Sequence, residues 1–249
     1  MSGVRTGLPA SAERHPPRHL LHSLRAPSRW VVHRRFGVRV HGAEQVPATG
    51  PVILASNHVG VADGPLLAVF APRPVHALTK SEMFHNPAMG RFLLASGQIP
   101  LDRFHADIAA VKSCLRVLRD GAVVGIFPEG ARGAGDFTRF HRGAAYLAMV
   151  SGAPIVPVIQ FGTREPGADM SALPRRGTTV DLVFGPAYRL DAVPWPRTRE
   201  HVDGASLLLR GHLLVHLAAA RALTGRELPG PLPVAEVDPP SSVTEQGAS

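Results

Sequence analysis

Continuous apolar runs alternate with helix-period patterns along most of the 249-residue chain. The segments VILAS (52–56), AVVGIF (122–127) and PIVPVIQF (154–161) are short runs with no polar face, the pattern of strands covered on both sides. FGVRVHG (36–42) and TTVDLVFG (178–185) alternate as half-covered strands, and PVHALTK (74–80) and QIPL (98–101) add two more. Between them, GPLLAVFA (64–71) predicts a helix with Pro65 in its first turn, and NPAMGRFLLAS (86–96) another short one. Over residues 107–120, Ile108, Val111, Leu115 and Leu118 recur at helical spacing with Arg116 and Arg119 opposite, and Gly121 ends the pattern. RGAAYLAMVSG (142–152) and the stretch 205–223 complete the helices. This alternation predicts one α/β domain with a mixed, largely parallel central sheet flanked by helices.

Composition refines the boundaries. With 45% hydrophobic residues the chain can bury one substantial core, and its 24 prolines and 25 glycines follow no short period. The domain is expected over residues 37–228. After Leu228 the sequence turns to proline, serine and small residues, which predicts a disordered tail over 229–249. A single cysteine, Cys114, cannot form an internal disulfide, and there is no charged start followed by an apolar run and a small-residue cleavage site. These features suit a reducing cytoplasm. Residues 143–163 lack charges, but Gly143, Gly152, Pro154 and Pro157 break them into a helix, a turn and a strand, not a membrane span.

Charge is concentrated at one end. Residues 1–39 carry eight arginines against Glu13, so nearly all of the formal net charge of +8 lies there. Such an arm is drawn to polyanions. Leu20, Leu21, Leu24, Trp30, Val31, Val32 and Phe36 are interleaved among the arginines, which favours amphipathic helices on an anionic membrane surface over a nucleic-acid tail. Pro27 divides residues 18–36 into two short helices, and residues 1–17 are expected to be a disordered leader, making 1–36 a partly disordered arm.

The candidate chemistry starts at SNHVGVADG (56–64). His58 and Asp63 stand five residues apart, about 140° around a straight helix, so they cannot meet on one. Gly60 and Gly64 would let the chain turn and bring the carboxylate onto the imidazole, making a general base. Together with IPLDR (99–103), FPEGARG (127–133) and PIVPV (154–158), in that order, the segment resembles the four sequence blocks of the glycerolipid acyltransferase superfamily, the bacterial 1-acyl-glycerol-3-phosphate acyltransferases in particular. The resemblance runs from about residue 38 to 186. It implies transfer of a fatty acyl group from acyl-CoA or acyl carrier protein to the hydroxyl of a lysophospholipid, with no further cofactor and no metal. His58 would be the base and Asp63 its orienting carboxylate. Asn57, Arg103, Glu129, Gly130, Lys80 and Arg132 would bind substrate, Arg103 by gripping phosphate and Glu129 by contacting acceptor hydroxyls or organising the cations. Three positions depart from the family pattern: Ala131 and Gly133 stand where hydroxyl residues are usual and Gly60 where a serine is often found, which bears on the acceptor.

Rival readings carry less of the sequence. A metal-dependent hydrolase needs a second tight His, Asp or Glu pair such as His-Glu-x-x-His, which does not occur. A non-catalytic lipid-binding protein of the same fold has only the altered third block in its favour. Nucleic-acid binding has no recognition motif behind it. The expected location is the inner face of the cell membrane, as a peripheral cytoplasmic protein.

Overall fold

The computed structural model describes residues 10–191, 193 and 197–233. Its elements, in chain order, are α1 (His19–Ser23), α2 (Arg25–His33), β1 (Gly37–His41), β2 (Val52–Ser56), α3 (Asp63–Phe70), β3 (Val75–Lys80), α4 (Pro87–Ala95), β4 (Ile99–Leu101), α5 (Ile108–Arg119), β5 (Val123–Ile126), α6 (Gly143–Ser151), β6 (Ile155–Phe161), β7 (Thr179–Phe184) and α7 (Arg199–Thr224). The strands form one sheet in the order β1-β7-β6-β2-β5-β3-β4, and every neighbouring pair is parallel except β6 with β7. The predicted mixed, largely parallel sheet is therefore present.

The apolar runs follow from burial on both faces. In β2, Ile53 and Ala55 join a core with α5, α6 and α7, while Val52 and Leu54 join a second core with α3. Alternate residues thus enter opposite layers, so neither face can be polar. On α5 the buried side is Ala110, Cys114, Leu115, Val117 and Leu118, whereas Ile108, predicted to face inward, is 66% exposed. Asp107 caps the helix through Ala110 N–H, which leaves Ile108 in the first turn at the edge of the packed surface. Burial pushes the Cys114 thiol up to about 12, the behaviour of an inert packed cysteine.

The arm forms two helices, as predicted, but the break is at Leu24 and Pro27 lies inside α2. Proline in a first turn forfeits no helical hydrogen bond, so it does not end the helix. The arm is also docked onto the domain. Ala12 N–H donates to Lys112 O, Arg18 pairs with Asp120, and Arg25 and Arg29 donate to the carbonyls of Ala71 and Val69 at the end of α3. Cations at a helix C-terminus are favoured by its unpaired carbonyls. At the other end, Pro229 is buried and Gly230 O accepts from Arg164, so packed structure continues past the predicted boundary at Leu228. Residues 1–9 of the predicted leader and 234–249 of the predicted tail lie outside the described residues.

Asp181 secures the far edge of the sheet. Its fully buried carboxylate accepts from Arg39 at 2.7 and 2.8 Å, from His41 at 2.9 Å and from Arg226 at 3.2 Å. Burial pushes its pKa up, but the bonds and charges of Arg39, His41 and Arg226 prevail and hold it below the usual carboxylate value. A depressed folded pKa stabilises the protein above the unfolded value, near about 4, and that contribution is lost as pH falls through the folded pKa. Asp181→Asn is expected to lower the thermal midpoint at pH 7, with the gap to wild type closing toward about pH 3. Thermal unfolding followed across this pH range checks it; a constant gap would contradict the assignment.

Candidate active site

Parallel strands place their C-terminal ends on one rim, where side chains from separate segments can converge. His58 lies two residues beyond β2, Lys80 ends β3, Arg103 lies two residues beyond β4 and Glu129 three beyond β5. Sequence separation is removed here by strand register alone.

His58 and Asp63 meet. The imidazole Nδ1–H donates to Asp63 Oδ2 at 2.7 Å, and the same oxygen accepts the backbone N–H groups of Val59 at 2.6 Å and Gly60 at 2.8 Å. The turn differs from the expected one. Gly64 is inside α3, and Gly60 does not adopt a positive φ. The chain instead winds directly into α3, whose first residue is Asp63, and the carboxylate reaches back over its own N-terminal turn. Gly60 is required for space: a Cβ there would stand 2.7 Å from Thr163 O.

The imidazole is fixed on further sides. It stacks on Phe127 at 4.3 Å between ring centres and 28° between planes, a contact carried by the first residue of FPEGARG. Its backbone N–H donates to Glu129 Oε2 at 2.6 Å, and its carbonyl accepts from Gly133 N–H at 2.9 Å. Asp63 holds Nδ1–H, so the basic lone pair is on Nε2 of a side chain that lines a large cavity.

Two residues expected to bind substrate have backbone partners. Glu129 is buried, with one oxygen on His58 N–H and the other on Phe137 N–H at 3.2 Å, so it grips the backbone of the site. Burial pushes its pKa up to about 8, against the downward pull of those two donors. Asn57 is also fully buried, its amide exchanging two hydrogen bonds with the backbone of Gln160 at 3.1 and 2.8 Å. It extends the β2–β6 pairing by one step and so aims the following residue, His58. Polar side chains beside a catalytic motif look alike in sequence whether they face a ligand or the backbone.

The remaining candidates surround the cavity, whose volume is about 510 Å³. Lys80, Arg103, Gly130 and Arg132 line it together with His58. Arg103 donates to Gly130 O at 3.2 Å and pairs with Glu82 at 3.4 Å, and Arg132 donates to Met170 O at 3.3 Å. Gly130 has φ +69°, and a Cβ would meet the ring of His141 at 2.5 Å, so only glycine fits. His141, not singled out in the sequence, backs this loop; burial, then the charges of Arg139 and Arg103, lowers its pKa. The rest of the lining is largely apolar and includes Leu20, Leu21 and Leu24 of the arm with Met89 and Phe92 of α4. Nothing in the sequence linked the arm to the site.

The chain resembles known proteins in both sequence and fold. The acyltransferase family model matches residues 37–160, the stretch that carries His58, Asp63, Arg103 and Glu129. The chain belongs to the acyltransferase family. It is 34% identical over 133 residues to the 1-acyl-sn-glycerol-3-phosphate acyltransferase of Bacillus subtilis, covering 53% of this chain and 66% of that protein. It is 31% identical over 169 residues to the enzyme of the same name from Pseudomonas aeruginosa, covering 65% and 64%. The chain thus spans less than two thirds of these curated relatives' length. The crystal structure of the 1-acyl-sn-glycerophosphate acyltransferase of Thermotoga maritima superposes with a TM-score of 0.60 at 20% identity, over 81% of this chain and 80% of that one. This acyltransferase domain shares that fold.

Glu129 gives the domain a measurable pH signature. A carboxyl whose pKa rises from 4.5 in the unfolded chain to about 8 in the fold makes the folded state less stable as pH climbs between these values. Glu129→Gln removes this titration. The variant's thermal midpoint relative to wild type is expected to rise between about pH 5 and 8, and calorimetry of both proteins over that interval decides it.

Proposed function

We propose that the protein is an O-acyltransferase that moves a fatty acyl group from an acyl thioester to the free hydroxyl of a lysophospholipid, converting 1-acyl-glycerol-3-phosphate to phosphatidate in phospholipid biosynthesis. The donor is acyl-CoA or acyl carrier protein. The observation that carries this reading is the Asp63-held imidazole on the wall of an apolar cavity rimmed by Lys80, Arg103 and Arg132. A cavity of about 510 Å³ is within the usual range for small-molecule sites, roughly 300–1,000 Å³.

In the proposed reaction His58 Nε2 takes the acceptor's hydroxyl proton as its oxygen attacks the thioester carbonyl. The carbon–sulfur bond breaks, and the imidazolium returns the proton to the leaving thiolate. Asp63 supports the imidazolium while it exists, the role of the carboxylate in a serine-histidine-aspartate triad, with the lipid hydroxyl in place of serine. The cations would hold the acceptor phosphate, Arg103 by its planar fork.

One observation favours a second acceptor class. Ala131 lines the cavity where the family pattern has a hydroxyl, and both backbone groups of Gly133 are engaged, its N–H with His58 O and its carbonyl with Arg164. Another lysolipid or a glycolipid would then be acylated. Labelled acyl-CoA offered with a panel of lysolipids distinguishes the two by the product formed. His58→Ala is expected to lower turnover at least about a hundredfold with its thermal midpoint retained. Arg103→Ala should raise the KM of a phosphorylated acceptor by about tenfold or more and leave the KM of the donor nearly unchanged. An active His58→Ala variant would refute the base.

No helix among the described residues is long and apolar enough to cross a membrane. The proposed location is the cytoplasmic, inner face of the cell membrane, held peripherally by the arm. Trp30 and Val31 on α2 are each 59% exposed, and the Arg34 guanidinium lies 4.0 Å over the Trp30 ring. An aromatic side chain beside arginines suits a layer of anionic headgroups. Neither residue lines the cavity. Replacing both by serine is therefore expected to reduce sedimentation with anionic vesicles several-fold while sparing turnover on detergent-dispersed substrate, and unchanged sedimentation would count against this face.

A further inference from the structure

Arg164 lies three residues beyond β6, on the same rim as His58, and is 2% exposed. Its guanidinium donates to four backbone carbonyls: Nε to Val59 at 2.7 Å, Nη1 to Ala168 at 3.1 Å, and Nη2 to Gly133 at 3.0 Å and to Gly230. Each carbonyl belongs to a different stretch. Val59 follows the base, Gly133 closes the loop that carries Arg132, Ala168 lies in the segment after β6, and Gly230 lies beyond α7.

These contacts link the two halves of the site. Gly133 N–H donates to His58 O while Gly133 O accepts from Arg164, so the residue is held between base and guanidinium. Arg132, the preceding residue, donates to Met170 O, two residues beyond the Ala168 that Arg164 also holds. On the other side, a Cβ at Gly60 would stand 2.7 Å from Thr163 O and 3.2 Å from Arg164 Cβ. The His58 turn therefore rests directly on this residue.

We propose that Arg164 is the positioning residue that sets the spacing between the His58 base and the cation-bearing 130–133 loop, and that through it the segment 225–230 becomes part of the active-site frame. The chemistry favours arginine specifically. A planar guanidinium has five N–H donors in a fixed fork and can meet four carbonyls from different directions, whereas a lysine ammonium has three donors at one point. Small displacements between a base and its substrate cradle reduce turnover steeply, by about a hundredfold for 1 Å.

The kinetic half of the test rests on the acyl-transfer reading; the exchange half does not. In the full-length protein, Arg164→Lys is expected to lower kcat between about tenfold and a hundredfold with the donor KM within about twofold of wild type. Hydrogen exchange should quicken at residues 58–60, 130–133 and 225–230 and stay unchanged in β2 and β5. Gly60→Ala keeps all the arginine's donors but wedges the turn off it, and is expected to give the same kcat loss. A merely structural Arg164 would lower the thermal midpoint and leave kcat and KM of the folded protein at wild-type values, which overturns the proposal. If Arg164→Lys does not fold, wild-type turnover by Gly60→Ala overturns it equally. Should wild type acylate no acceptor, the function reading fails while local exchange in Arg164→Lys still decides the role of Arg164: quickening confined to those three segments supports it, and unchanged exchange refutes it.

Discussion

One carboxylate oxygen governs the geometry of the site. Asp63 Oδ2 accepts the imidazole N–H of His58 and the backbone N–H groups of Val59 and Gly60. The bond that selects the histidine tautomer is thereby also the bond that shapes the turn carrying it. A buried carboxylate is tolerable only with such donors around it, and here three N–H groups converge on one atom. Phe127 beneath the ring, Glu129 on its backbone N–H and Gly133 on its carbonyl leave the imidazole little freedom. A base held this way requires little reorganisation when a proton is transferred.

The sheet makes that local clamp useful. Because β2, β5, β3 and β4 run parallel as neighbours, the segments following them emerge side by side. Lys80, Arg103 and Arg132 arrive at the cavity without a long loop between them. β6, parallel to β2, delivers Arg164 to the same rim. Side-chain hydrogen bonds to the backbone of these connecting segments then do the fine positioning, and they involve Glu129 and Arg164, whose polar groups point into the protein and not toward the cavity.

The arginines of the arm serve two physical ends. Arg25 and Arg29 neutralise the carbonyl end of α3 and hold α2 against the domain. Arg34 stays outside, over the exposed ring of Trp30. Leucines of α1 complete the apolar wall of the cavity, so the same arm that carries most of the positive charge also encloses the site. Read as sequence, the arm looked like an appendage, because a positive, leucine-containing segment has no signal for which groove of its own domain it will fill.

The sequence by itself determined the elements and the reactive pair. Continuous apolar runs required strands covered on both sides, and the His58 to Asp63 spacing required a turn that would bring the two together, since a helix would not. Local patterns suffice for such features because they are set by periodicity and chain geometry over a few residues. Tertiary structure alone decided what each polar group faces. Asn57 and Glu129 turned inward to the backbone because partner amides were waiting there: Gln160 on the neighbouring strand β6, 103 residues from Asn57, and His58 and Phe137, 71 and 8 residues from Glu129. Ile108 fell outside the core because the packed surface of α5 begins two residues later, at Ala110. Arg164 found three of its four carbonyls, those of Val59, Gly133 and Gly230, only once three distant segments had been brought to it, and no period or spacing along the chain encodes that convergence.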